Sequence, residues 1–230
     1  MDQLTFVIPF RTDNGERQEI FNWNIARLNT LFPQSKIVVG ESPPGPFNRS
    51  AACNDGILKV ETELLAVLDA DTVWNKELLI HALTQLENYA TWNIPYSTYH
   101  VTSHNFTQRQ LHDSPGCSIH LSTETDVDHI LRAVPGDLYP PVSGICFMHT
   151  ESMYKVGGFD PRFVGWGFED RAFFLSANKI LGNASRGFGE VFHLYHSVGN
   201  ITNHENFKEN EHLFGKYITD IDSVLGNHLK

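Results

Sequence analysis

The stretch Leu64–Leu65–Ala66–Val67–Leu68–Asp69–Ala70–Asp71 decides how the chain is read. Five apolar residues in a row, bounded by Glu63 and Asp69, predict a short strand buried on both faces. Two carboxylates follow at its C-terminal end. In open α/β sheets, ligands bind just beyond the carboxyl ends of the strands, so Asp69 and Asp71 stand where a site is expected. Carboxylates one residue apart offer oxygen ligands suited to Mg²⁺ or Mn²⁺ beside a diphosphate. The same spacing also occurs as a turn with two solvated aspartates, and the motif alone leaves both open.

Working outward, Thr5–Phe6–Val7–Ile8–Pro9 and residues 36–39 predict two more strands. Residues 20–31, 48–60 and 77–89 predict helices between and after them. Pro43–Pro44–Gly45–Pro46 is a loop by composition. This alternation predicts an α/β fold with a parallel sheet in the first half. Residues 91–141 are rich in His, Ser, Thr and Pro and predict irregular loops. Beyond them, strands are expected at 142–148 and 191–195. Helices are expected at 151–156, 171–181 and 206–225. There is no internal repeat.

The chain has 230 residues with 17 Lys+Arg against 27 Asp+Glu, a net charge of −10. That suits a globular domain and argues against a protein that holds nucleic acid mainly through its phosphates. Cys53, Cys117 and Cys146 are odd in number and widely spaced, which speaks against a disulfide framework or structural zinc. No run of about 18 apolar residues predicts a membrane span. The N-terminus enters a strand without a basic start, so no secretory signal is read and a cytoplasmic location is expected. The sequons at Asn48, Asn105, Asn183 and Asn200 are then chance matches.

Two further clusters carry chemistry. Gly157–Gly158–Phe159–Asp160–Pro161 leads into Gly165–Trp166–Gly167–Phe168–Glu169–Asp170. Glycines allow close backbone approach, an exposed Trp suits stacking on a sugar ring, and Glu169 and Asp170 offer an acceptor and a general base. Both acids also suit the first turn of a helix. In His193–Leu194–Tyr195–His196–Ser197, near-alternate histidines at a strand end can ligate metal, although such a pair is also common as structure.

Together these segments resemble the catalytic domain of the beta-1,4-galactosyltransferase family, and more loosely the polypeptide N-acetylgalactosaminyltransferases and chondroitin-type polymerases. The blocks Phe6–Val7–Ile8–Pro9–Phe10–Arg11, Phe47–Asn48–Arg49–Ser50, Leu68–Asp69–Ala70–Asp71, the Trp166-to-Asp170 block and His196–Ser197 occur in the family's order. The resemblance implies a GT-A type, Rossmann-like fold with a mixed, mainly parallel sheet flanked by helices. It also implies a single catalytic domain over residues 1–230, with a nucleotide-binding half at 1–90 and an acceptor-binding and catalytic half at 91–230. Pro9, Phe10, Arg11, Phe47, Arg49, Asp69 and Gly165 would meet the UDP-sugar. Asp71, His193 and His196 would hold Mn²⁺ or Mg²⁺, with His193 where the family has a methionine. Asp170 would be the base, Glu169 would orient sugar hydroxyls and Trp166 would stack on them. Glu169–Asp170, where the retaining polypeptide enzymes have Glu-Asn, implies inversion. Phe168 and Arg171 depart from the family's glycine and third acid. The acceptor is expected to be a saccharide. A hydroxymethylated base of viral DNA is the alternative acceptor, and a non-catalytic sugar-binding module or a nucleotidyltransferase are the alternative functions.

Overall fold

The computed structural model describes residues 3–134, 140–197 and 206–229. The sequon at Asn200 lies outside them. Along the chain run β1 (Leu4–Pro9), α1 (Glu16–Leu31), β2 (Lys36–Gly40), α2 (Arg49–Ile57), β3 (Leu64–Leu68), β4 (Thr72–Val73) and α3 (Lys76–Asn88). Then follow β5 (Trp92–Thr102), α4 (His104–His112), β6 (Val127–Arg132), β7 (Ile145–His149), α5 (Thr150–Val156), α6 (Glu169–Leu181), β8 (Ser185–His193) and α7 (Phe207–Thr219). One sheet takes the order β2-β1-β3-β7-β5-β8-β4, with β6 beside β5. β1 pairs in parallel with β2 and β3, and β5 with β8, while β7, β6 and β4 pair antiparallel to their neighbours. Strands β1, β2, β3, β5 and β8 therefore share one direction. This is the mixed, mainly parallel sheet that the resemblance implies.

Helices cover both faces because the strands are apolar on both. In β1, Phe6 meets Phe32 and Trp74, ring centroids 5.8 and 6.2 Å away, on the α1 side. Val7 points the other way onto α2. There a Cβ on Gly56 would lie 2.5 Å from Val7 Cγ1, and one on Gly40 would lie 1.9 Å from the Ala52 carbonyl oxygen. The backbones of α2 and β2 thus touch directly, a spacing only glycine permits. Fully buried Phe6, Trp92, Tyr96 and Phe147 anchor the core, each side chain of this size contributing about 1.5–3 kcal/mol.

The loops expected at residues 91–141 are corrected by the longest strand of the sheet, the 11-residue β5, and by α4 and β6. Pro95 fits because β5 and β8 shift register between Ile94 and Tyr96, and a bulge needs no ladder hydrogen bond there. The strand expected from residue 142 starts at Ile145. The one expected at 191–195 begins at Ser185 and ends at His193, so Leu194 and Tyr195 lie past its end. α5 stops at Gly157, whose φ of +87° is left-handed, as helix ends favour. The tail packs there, His228 N–H donating to the Gly157 carbonyl at 2.7 Å.

Candidate active site

The short ladder between β4 and β8 builds the first half of the site. Thr72 lies opposite His193, and the Leu194 N–H donates to the Asp71 carbonyl at 2.8 Å. That register brings the end of β8 against the carboxylates after β3. His196 Nε2 lies 3.1 Å from Asp71 Oδ2, and His193 Nε2 lies 3.5 Å from Oδ1. Each oxygen of a buried carboxylate thus faces one imidazole. Burial alone would raise the Asp71 carboxyl, but His193, His196 and Arg17 outweigh it and hold it well below the usual range. Burial pulls His196 down, and its hydrogen bond to Asp71 more than restores it, so the net shift is upward.

The donor set fits a divalent ion. One atom from each of Asp71, His193 and His196 lies within 4.8 Å of the others. The two contact distances approach the separation of about 3 Å expected for neighbouring ligands about 2.1 Å from one ion. The other ring nitrogen of His193, Nδ1, is buried with no hydrogen-bond partner. Two imidazoles and a carboxylate suit Mn²⁺ and its neighbours, and tolerate Mg²⁺ less well.

Arg49 organises the second half. Asn48 caps α2, its side-chain oxygen accepting from Ala51 N–H at 2.8 Å while its amide donates to the Pro161 carbonyl at 2.7 Å. This side chain is spent on the cap. Gly165 N–H donates to the Phe47 carbonyl at 3.1 Å, which lays the glycine-rich loop beside the start of α2. Arg49 then reaches two carboxylates. Its Nε and Nη2 donate to Asp69 Oδ1 at 2.8 and 2.5 Å, and its Nη1 donates to Asp170 Oδ1 at 2.6 Å. The other oxygen of Asp69 accepts from Gly144 N–H at 3.0 Å.

Glu169 and Asp170 open α6, which begins two residues earlier than the sequence suggests, after Phe168 in a left-handed conformation with φ +74°. A bulky residue rarely tolerates that region; here the Phe168 ring packs against Phe207 and Phe214, centroids 5.4 and 5.3 Å away. Burial, opposed by Arg49 and reinforced by Glu169 and Asp69, pushes the Asp170 carboxyl up to about 8. Burial also raises Glu169, again against the pull of Arg49.

The remaining sequence candidates separate. Trp166 is 47% exposed and stacks one face on Phe207 at 6.1 Å. Arg11 donates to the Gly45, Pro43 and Ser42 carbonyls and to Ser42 Oγ, and lies 5.6 Å over the Phe47 ring. It ties down the loop before α2. Phe10 is buried and stacked on Phe21 at 4.0 Å, and Pro9 closes β1. Arg17 was missed by motif: it lies in the first turn of α1, Nε 3.8 Å from Asp71 Oδ2. Its Nε is buried without a hydrogen-bond partner. Only its place in the first turn of the helix that follows β1 hints at it.

The sheet order, with carboxylates past the interior strand β3 and a metal-capable trio beside them, defines a GT-A type glycosyltransferase fold. The chain belongs to glycosyltransferase-like family 2, whose model matches residues 25–216, and it is a glycosyltransferase. Among solved structures it is similar to TarS (residues 1–349) of S. aureus in complex with UDP-GlcNAc: TM-score 0.57, 14% identity, covering 99% of this chain and 71% of that one. It is similar to the catalytic domain of Drosophila beta-1,4-galactosyltransferase 7 in complex with xylobiose: TM-score 0.52, 17% identity, 84% and 71% covered. It is also similar to glucosyl-3-phosphoglycerate synthase of Mycobacterium tuberculosis with Mn²⁺ and UDP-glucose: TM-score 0.52, 10% identity, 97% and 79% covered. At these identities the likeness is one of fold. No curated protein matches the sequence. Among the described residues, no helix is long and apolar enough to cross a membrane.

Proposed function

We propose that the chain is a metal-dependent, inverting glycosyltransferase that moves a sugar from a UDP-sugar to a hydroxyl of a saccharide acceptor. The observation that carries this is the adjacency of two differently built halves: the Asp71–His193–His196 trio, and the Arg49-bound pair Asp69 and Asp170. Asp71, His193 and His196 would hold Mn²⁺ or Mg²⁺, which when bound neutralises charge developing on the leaving diphosphate. Arg17 sits beside the trio and adds a fixed positive charge on the same side. Asp170 accepts the proton of the acceptor hydroxyl as that oxygen attacks the anomeric carbon from the face opposite the diphosphate, which inverts the configuration. Burial makes its ionised form a stronger base, with the ionised fraction, and hence turnover, rising toward pH 8. Arg49 holds the base in place against Asp69, and Glu169 orients sugar hydroxyls. The exposed face of Trp166, backed by Phe207, offers a platform for the acceptor ring.

The structural neighbours support the reading through what their complexes contain: UDP-GlcNAc in one, xylobiose in another, Mn²⁺ with UDP-glucose in the third. The net charge of −10 favours a saccharide over DNA as acceptor. The test is a donor screen of UDP-Gal, UDP-Glc, UDP-GlcNAc and UDP-GalNAc with Mn²⁺, followed by release of UDP. Metal-dependent UDP release from one donor is expected. Release of pyrophosphate, or full activity in EDTA, overturns the proposal.

A further inference from the structure

Glu16 and Arg17 are neighbours in the first turn of α1, outside every motif considered above. Arg17 turns toward Asp71. Glu16 turns toward the other wall of the same trio. Its Oε2 accepts from the Ser197 backbone N–H at 2.8 Å and from the Ser197 hydroxyl at 2.7 Å. Its Oε1 lies 3.9 Å from His104 Nε2, and the His104 ring meets Tyr195 edge-on at 5.4 Å.

The segment carrying His196 has left the sheet. β8 ends at His193, and beyond it, past the buried Leu194, the backbone is held one hydrogen bond at a time. Leu194 N–H reaches the Asp71 carbonyl and Tyr195 N–H reaches Thr107 Oγ1 at 2.7 Å, while Ser197 is held by Glu16. His196 sits between the last two anchors. Fixing a residue's backbone costs about 1–2 kcal/mol in entropy, and hydrogen bonds to a carboxylate are the stronger kind that can offset it.

We infer that Glu16 is a positioning residue for the metal site: by fixing Ser197, it holds His196 where its imidazole faces Asp71. The first turn of α1 thereby grips both chain segments that supply the trio, Asp71 through Arg17 and His196 through Glu16. This rests on the proposed role of Asp71, His193 and His196. A plainer role exists for any acid at this place, since it favours the positive end of the helix dipole. Glu19 fills that role equally, being acidic, exposed and in the same turn.

The test is titration of the intact chain with Mn²⁺ alone, the free ion read by electron paramagnetic resonance. His196→Ala is expected to abolish or strongly weaken binding. Glu16→Ala is expected to weaken it about 3- to 10-fold, at or below the low end of the roughly 10- to 100-fold seen for outer partners of metal ligands. Glu16→Gln, which keeps one acceptor oxygen, falls between. Glu19→Ala stays within about 2-fold, and Ser197→Ala adds little once Glu16 is gone, because the two losses share one interaction. If His196→Ala weakens binding and Glu16→Ala does not, the positioning role is wrong and the metal site stands. Equal losses from Glu16→Ala and Glu19→Ala reduce Glu16 to a dipole effect and also overturn it. If His196→Ala binds Mn²⁺ like the unaltered chain, the metal site itself fails and the inference with it.

Discussion

Replacing Asp170 by Asn separates chemistry from architecture more cleanly than any other single change. Asn keeps an oxygen where Asp170 Oδ1 accepts from Arg49 Nη1 at 2.6 Å, so the arginine retains a partner and Asp69 stays bound. What disappears is the ability to take a proton. General base catalysis is worth about 10²- to 10⁴-fold, or about 3–5 kcal/mol of barrier. The kcat should therefore fall by that factor while UDP-sugar affinity stays within about 2-fold. Stability should move the other way. Burial drives the Asp170 carboxyl from 3.8 up to about 8 even with Arg49 pulling the other way, so the folded chain holds the charged form at a cost that an uncharged amide does not meet. Removing the charge should therefore give a net gain of about 1–4 kcal/mol, on the scale found when buried charges are replaced.

The sign follows from linkage. Below pH about 4, Asp170 is protonated in folded and unfolded chains alike and costs nothing. Between about 4 and 8, only the unfolded chain ionises, so wild-type stability declines as pH rises; above about 8 the loss is complete. Asp170→Asn lacks this decline. Thermal melts should thus coincide near pH 4 and diverge by about 2–4 °C per kcal/mol at pH 8.5, the variant melting higher. Turnover at the wild-type rate would refute the base assignment. A gap between the melts that does not grow with pH would refute the burial reasoning.

Asp71→Ala removes the carboxylate between the two imidazoles. It should lose Mn²⁺ binding by calorimetry along with activity, and unchanged activity in EDTA would contradict the site. Trp166→Ala should raise acceptor KM about 3- to 10-fold, on the scale of aromatic contacts worth about 0.5–1.5 kcal/mol, with donor KM unaffected in steady-state assays. Gly157→Ala places a Cβ 2.4 Å from the Gly226 carbonyl oxygen at a left-handed φ. With about 1–2 kcal/mol for the conformation alone, its melting midpoint should drop by at least about 2 °C at about 2–4 °C per kcal/mol, and further for the clash.

The apolar run at residues 64–68 was legible because β3 lies mid-sheet, buried on both faces. β5 hid because it carries polar residues whose partners lie in distant elements, in α3 and β8. Asn93 bonds Gln85 and the Ser185 carbonyl, and His100 bonds Glu190 at 3.0 Å. Pro95 speaks against a strand until its bulge is seen. Within the site, the types of residue could be read from the motifs, and their pairings could not. Arg49 and Asp170 stand 121 residues apart in sequence, and no local pattern says that this arginine faces carboxylates. Arg17 belongs to no motif. Its approach to Asp71 depends on how α1 docks on the segment after β3, where Asn24 donates to the Ala70 and Thr72 carbonyls at 3.1 Å.

The direct backbone contact between β2 and α2 works as a mechanical stop. Gly40 and Gly56 let the helix sink until its chain meets the strand. That depth sets how far Arg49, at the other end of a nine-residue helix, projects toward Asp69 and Asp170. A side chain at either glycine would lift the helix like a shim, and misplacing reacting groups by about 1 Å can cost on the order of 10²-fold in rate. Substitutions on this distant, chemically silent seam would thus register as slowed turnover as well as lost stability.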